Sequence, residues 1–135
     1  MNLPPYAELL GLSLDADVEG APVLVMPFRG EVMGRPGFLH GGAISGLMEI
    51  AAIAALRQAI EAEGKDSAAR IKPINVTVDF MRGGRDKDTR AIGLITRLGN
   101  RVANVDAIAW QDDRARPIAR ARMNYLLVRG EEAGR

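Results

Sequence analysis

The stretch that decides the fold runs from residue 40 to residue 64 and reads HGGAISGLMEIAAIAALRQAIEAEG. It is rich in alanine and contains no glycine or proline after Gly46 until Gly64, so it predicts a helix over about residues 41–63. Most of this stretch is apolar on nearly every side, and Glu49 is the only charge in its apolar part. Such a helix is surrounded by protein, so the sequence predicts one long central helix.

Alternation of apolar and polar residues on both sides of this helix predicts antiparallel strands. Before the helix, residues 12–18 and 22–28 form a candidate hairpin. After it, strand patterns cover residues 74–80, 92–94, 103–109 and 119–127, with turn residues at 83–84, 99–100 and 112–113. Alanines line one face of segment 103–109 and leave room for the helix to pack closely. We therefore expect an α+β domain in which an antiparallel sheet of five to six strands wraps around the helix.

The composition indicates one globular domain spanning residues 1–135. Of the 135 residues, 47% are hydrophobic and 26% are charged, which suits an ordinary apolar core. A short helix is expected over residues 3–11, because two prolines open it, Tyr6, Leu9 and Leu10 share one face, and Gly11 suits a C-cap. The polar tail, residues 130–135, should fray.

Several function classes are excluded by simple counts. The chain has no cysteine and a single histidine, so disulfides, thiolate metal sites and histidine-based metal centres are ruled out. A formal net charge of +1 gives no electrostatic footprint for binding nucleic acid or an anionic membrane. The N-terminus lacks the pattern of a secretory signal. We expect a cytoplasmic protein with no cofactor, no metal, no nucleic-acid partner and no membrane partner.

The residues most able to carry chemistry lie at the start of the long helix. Two glycines after His40 bring backbone N–H groups to a helix N-terminus, which favours negative charge such as an oxyanion. Further along the helix, Glu49 places a carboxylate among apolar neighbours, where an unpaired charge is costly. Structural alternatives exist for each feature: His40 as a helix cap, the glycines as turn residues, and Glu49 as a structural carboxylate or an interface residue.

The combination of these residues resembles a known motif. His40, Gly41 and Gly42, with an acidic residue nine positions after the histidine, resemble hotdog-fold acyl-CoA thioesterases of the phenylacetate-degradation (PaaI-like) type, related to 4-hydroxybenzoyl-CoA thioesterases. Segments 76–82 (VTVDFMR) and 97–101 (RLGNR) also resemble that family's strand after the helix and its basic hairpin. The resemblance extends over about residues 11–128 and implies the hotdog fold.

The resemblance also implies catalytic roles. Glu49 corresponds to the acidic catalytic residue, Gly41 to the residue whose N–H polarises the thioester carbonyl, and His40 to a residue that orients the loop or the substrate. Two positions depart from the family pattern, because Gly34 stands where many members carry Asn or Gln and Ile53 stands where some carry a hydroxyl. These departures keep a non-catalytic acyl-CoA-binding module open as an alternative. An acyl thioester dehydratase or hydratase on the same fold is the other alternative.

Helix geometry adds a requirement of its own. Gly41 and Glu49 are eight residues apart, which is about 12 Å along a helix axis, so one carbonyl cannot contact both residues of one chain. If both act, Gly41 of one subunit must meet Glu49 of another in a homodimer whose two helices pack side by side and antiparallel. The resemblance implies the same arrangement, and members of the family often pair dimers into tetramers.

The expected reaction is hydrolysis of a small, medium-chain or aryl acyl-CoA. Glu49 would act as a nucleophile that forms a mixed anhydride, or as a general base on water. The candidate acyl contacts are Phe38 and Met48, which neighbour the motif. Gly42 at the helix start is a further candidate substrate-binding residue. The phosphates of CoA call for cations, and the candidates are Arg82, Arg97 and Arg101.

Overall fold

The computed structural model describes residues 3–15, 20–64 and 69–129. The elements in chain order are α1 (Pro5–Leu10), β1 (Ser13–Leu14), β2 (Val23–Met26), a 3-10 turn (Gly30–Val32), α2 (Gly41–Ala62), β3 (Arg70–Phe80), β4 (Thr89–Leu98), β5 (Val102–Trp110) and β6 (Ala119–Val128). The strands form one antiparallel sheet in the order β1-β2-β4-β5-β6-β3, and α2 packs against one face of it. The predicted α+β hotdog architecture is confirmed, with six strands. The predicted tail, residues 130–135, and residues 16–18 of the first strand pattern lie outside the described residues.

Small residues on the sheet allow α2 to approach it closely. A Cβ at Gly93 of β4 would lie 2.7 Å from the carbonyl oxygen of Ala51 and 2.8 Å from the Cα of Ala52, so the backbone of α2 rests directly on this glycine. The inward residues of β5 include Ala103 and Ala107, which are completely buried against the helix. The alanine face predicted from the sequence is therefore the surface that receives α2.

Over residues 43–56, α2 is buried on every side but one. Between Ala43 and Leu56, all residues are buried except Ser45, Glu49 and Ile53, which follow one another at a spacing of four. Residues at this spacing form a single row along a helix surface. Gly41 precedes them at the same spacing and is also partly exposed, so the exposed row of α2 consists of Gly41, Ser45, Glu49 and Ile53. Although α2 is long and apolar enough to cross a membrane, 67% of its most apolar window is buried inside the protein, as in the core helix of a folded domain.

The N-terminal helix is shorter than predicted and turns a different face inward. α1 spans Pro5–Leu10 and ends at Gly11, whose φ of 71° is the left-handed conformation that glycine adopts readily. Of the predicted face, Leu10 is buried, whereas Tyr6 and Leu9 are exposed, and the other buried residue is Ala7. The ring of Tyr6 nevertheless contacts α2, because a Cβ at Gly46 would lie 2.8 Å from it.

β3 forms one edge of the sheet and pairs only with β6 among the described strands. Three of its large apolar residues, Ile74, Val76 and Phe80, are 54%, 52% and 55% exposed. Val76 and Phe80 lie opposite the inward-facing Met123 and Ala119 of β6, so they stand on the same side of the sheet as α2. An edge strand of this length with exposed apolar side chains is a surface on which another chain can pair.

Candidate active site at the start of the central helix

His40 caps the N-terminus of α2. Its backbone is extended (φ −72°, ψ 135°), and its Nδ1 accepts a hydrogen bond of 2.8 Å from the backbone N–H of Gly42. The hydrogen bond assigns the acceptor role to Nδ1, so in the neutral ring the proton is on Nε2. A Cβ at Gly42 would lie 3.0 Å from Nδ1, which explains a glycine at this position. His40 is thus the helix cap that the structural alternative described, and its role in orienting the loop or the substrate stays a prediction.

The backbone N–H of Gly41 is available for an external acceptor. The N–H groups of Ala43 and Ile44 donate to the carbonyl oxygen of His40, but within the described part of the chain the N–H of Gly41 has no acceptor. The Phe80 ring lies over Gly41, because a Cβ there would be 3.2 Å from its Cζ. A cleft at this point is lined by Leu39, Gly41, Ile44, Phe80, Met81 and Arg82.

Glu49 lies on the exposed row of α2, two turns after Gly41, and is half-buried. Among the residues described, its carboxylate forms no hydrogen bond or ion pair. Its charge acts on Tyr125 of β6, since burial and then the Glu49 carboxylate raise the pKa of that phenol. The phenol is completely buried and donates to the Sδ of Met123 at 3.0 Å, so it stays neutral beside the carboxylate.

The structure does not bring Gly41 and Glu49 together within one protomer. Both belong to the continuous helix α2, and eight residues at about 1.5 Å each separate them by about 12 Å along its axis. A thioester carbonyl bound at Gly41 is therefore out of reach of Glu49 in the same chain.

The two predicted acyl contacts have different environments. Phe38 lies between the guanidinium groups of Arg35 and Arg85, which stand 4.0 Å and 4.4 Å from its ring centroid. Met48 has no exposed surface and belongs to the core. A role for either side chain in acyl binding stays a prediction. A Cβ at Gly34 would lie 3.2 Å from the Cα of His40, so a larger residue there would require the loop to shift.

The three predicted phosphate-binding arginines lie at two ends of the sheet. Arg82 follows β3 at the end where α2 begins, lines the cleft beside Gly41, and donates to the carbonyl oxygen of Pro117 at 2.8 Å. Arg97 and Arg101 flank the turn between β4 and β5 at the opposite end. Of these three arginines, only Arg82 lies near the helix start within one protomer.

Two residues next to the site were not singled out from the sequence. Phe80 covers Gly41, and Tyr125 lies beside Glu49, yet both come from strands far along the chain. The alternation of apolar and polar residues around Phe80 and Tyr125 predicts strands, but it does not predict which strand ends lie against the helix. One signal was available for Tyr125, because a tyrosine on a buried face needs a partner for its hydroxyl.

Comparison with known proteins identifies the family. The model of the thioesterase superfamily matches residues 36–118, which is more than half of the chain and includes the cap, the helix and the strands β3, β4 and β5. The chain belongs to the thioesterase superfamily. The comparison with curated proteins found no match.

Solved structures of similar proteins support the same fold. A Chromobacterium violaceum protein is 36% identical, with 90% of this chain and 82% of that chain covered and a TM-score of 0.71. A conserved Pseudomonas aeruginosa protein is 21% identical, with 93% and 94% covered and a TM-score of 0.79. A Haemophilus influenzae thioesterase is 18% identical, with 92% and 82% covered and a TM-score of 0.76. The last two similarities show the fold alone.

Proposed function

We propose that this member of the thioesterase superfamily is a PaaI-like acyl-CoA thioesterase that hydrolyses a small, medium-chain or aryl acyl-CoA to the free acid and CoA. One observation carries the proposal: Gly41 and Glu49 lie on one partly exposed row of a mostly buried helix, and neither the Gly41 N–H nor the Glu49 carboxylate has a hydrogen-bond partner within the described residues. The first N–H groups of a helix have no intrahelical acceptor and Glu49 is only half-buried, so both groups are available to a bound substrate.

In the proposed reaction, the thioester oxygen accepts a hydrogen bond from the N–H of Gly41. This N–H, at the positive end of the α2 dipole, stabilises the charge that develops on the oxygen as the carbonyl is attacked. Glu49 either adds to the carbonyl carbon, forming a mixed anhydride that water hydrolyses, or takes a proton from the attacking water. In both routes the C–S bond breaks, the thiolate of CoA leaves and takes up a proton, and the carboxylic acid is released.

The proposed enzyme is a homodimer, because its site needs Gly41 of one subunit and Glu49 of the other. The exposed row of α2 and the exposed apolar residues of the edge strand β3 face the same side of the molecule, which supports a second copy there. In an antiparallel dimer, the turn of Arg97 and Arg101 lies toward the end at which the partner's helix begins. The CoA phosphates would then be contacted by Arg82 of one subunit and by Arg97 and Arg101 of the other.

The test is release of free thiol from a panel of acyl-CoAs, from acetyl through lauroyl to phenylacetyl and hydroxybenzoyl. The wild-type protein is expected to release thiol, and Glu49→Gln is expected to lower kcat by about 100-fold or more, because the amide can neither attack nor accept the proton. Glu61→Gln is the matched control, since Glu61 is an exposed carboxylate on the same helix. Full turnover by Glu49→Gln would contradict the assignment.

A non-catalytic acyl-CoA-binding module is the second candidate. It is favoured by the surroundings of Gly34, where the backbone of His40 leaves no space for a polar side chain without a shift of the loop, and by the apolar Ile53 after Glu49. Acyl-CoA binding by calorimetry without thiol release on any member of the panel would support this candidate instead.

A further inference from the structure

Ser45 occupies the middle of the exposed row of α2. It lies four residues after Gly41 and four residues before Glu49, which is about 6 Å along the helix axis from each. It is half-exposed, while its sequence neighbours Ile44 and Gly46 are buried. The proposed reaction assigns no role to Ser45, although it lies between Gly41, the oxyanion donor, and Glu49, the catalytic carboxylate.

An antiparallel helix pair has a simple numbering rule. When two copies of a helix run side by side in opposite directions, the two residue numbers of every facing pair have the same sum. The proposed function requires Gly41 to face the partner's Glu49, and the same pairing then makes Glu49 face the partner's Gly41. Ser45 lies midway between Gly41 and Glu49 in the chain, so it must face Ser45 of the partner subunit.

Resting on that proposed function, we infer that Ser45 lies on the two-fold axis of the homodimer and is a positioning residue that sets the spacing between the two central helices. Side-by-side helices pack with their axes about 8–10 Å apart, depending on the side chains at the contact. A serine side chain at the contact is small enough to permit an interaxial distance near the lower limit of that range. The two-fold axis relates the two active sites, so the distance between the helices at Ser45 sets the Gly41–Glu49 distance in both sites.

The edge strand β3 supports the same location for the second copy. The Phe80 ring lies over Gly41, the first residue of the exposed row, and Val76 stands half-exposed on the same side of the strand. A second copy that pairs along β3 would therefore also cover the exposed row of α2. Helix and strand together form one continuous surface rather than two separate ones.

Cross-linking tests the location directly, because the chain contains no cysteine. Ser45→Cys introduces one thiol in place of one hydroxyl, and a short bifunctional thiol reagent should join two subunits of this variant at micromolar protein concentration. Gln58→Cys is the control, since Gln58 is exposed on the same helix but away from the row. The expected result is a covalent dimer with Ser45→Cys and little or none with Gln58→Cys, scored by denaturing gel.

Enzyme kinetics test the positioning role. Ser45→Ala keeps a small side chain and should leave kcat and KM almost unchanged. Ser45→Leu should hold the helices apart and lower kcat by about 100-fold with little change in KM, because a displacement of about 1 Å affects the reacting groups more than CoA binding. Sedimentation should show a dimer for both variants. Equal kcat for Ser45→Leu and Ser45→Ala would overturn the positioning role.

The outcomes separate this inference from the proposed function. An active wild-type enzyme whose Ser45→Cys variant cross-links no better than Gln58→Cys would overturn the location on the axis and leave the thioesterase intact. A cross-linked Ser45→Cys dimer from a protein that releases no thiol would support the location on the axis and overturn the activity.

Discussion

At the scale of single residues, a substitution can remove the backbone N–H of Gly41 and leave the N-terminus of α2 intact. Gly41 is the first residue of α2, a position where proline is tolerated, and the extended backbone of His40 (ψ 135°) is the conformation that precedes a proline. Gly41→Pro should lower kcat by about 100- to 1000-fold, the usual effect of losing one oxyanion donor. Thiol release measures it, with acyl-CoA binding followed by calorimetry.

Gly41→Ala is the matched control for that substitution. Either residue places a Cβ about 3.2 Å from the end of the Phe80 ring, but only alanine retains the N–H. Alanine should therefore lose far less activity than proline. If the two variants had the same kcat, crowding by Phe80 rather than the missing donor would explain the loss, and the oxyanion role of Gly41 would be wrong.

Sequence and structure agree best at those site residues that are close together in the chain. The positions of His40, Gly41 and Glu49 relative to one another follow from helix geometry alone, which is local and was predictable. The neighbours Phe80 and Tyr125 depend on the register between strands and helix, which involves long-range packing. The space around Gly34 depends on the path of a loop, and a sequence pattern does not specify that path.

At the scale of elements, the contact between α2 and β4 should be intolerant of any added atom. A Cβ at Gly93 would lie 2.7–2.9 Å from the backbone and side chains of α2, so Gly93→Ala must push the helix off the sheet. Overpacking of this kind costs about 1–3 kcal/mol in the free energy of unfolding. Urea unfolding followed by circular dichroism measures the loss.

Gly30→Ala provides the comparison for Gly93→Ala. Nothing lies within 4 Å of a Cβ at Gly30, and its φ is not in the left-handed region, so this substitution should be almost neutral. Equal stability of the two variants would show that the helix and sheet can separate without cost, contrary to the close packing described above.

The elements themselves were predicted unevenly from the sequence, for physical reasons. α2 ends within one residue of its predicted end, because composition and glycine placement act locally. β3 begins at Arg70, four residues before the alternating pattern that predicted it, because a register shift between Pro73 and Asn75 interrupts the alternation along the strand. The predicted face of α1 was right for Leu10 but wrong for Tyr6 and Leu9, because six residues are too few to define a stripe.

At the scale of the whole molecule, the proposed site exists only in the assembly. In the proposed dimer, each protomer supplies Gly41 to one site and Glu49 to the other, and the partner supplies the missing residue of each site. A variant lacking the N–H of Gly41 still carries an intact Glu49, and a variant lacking the carboxylate still carries an intact Gly41. The two defects are therefore complementary between subunits but not within one chain.

Mixing the two inactive variants should restore activity. When Gly41→Pro and Glu49→Gln are unfolded together and refolded in equal amounts, half of the dimers contain one of each, and each of these has one intact site. The mixture should reach roughly a quarter of the wild-type rate of thiol release, while each variant refolded alone stays inactive. A mixture no more active than its components would place Gly41 and Glu49 in separate roles within one chain, and the shared site would have to be abandoned.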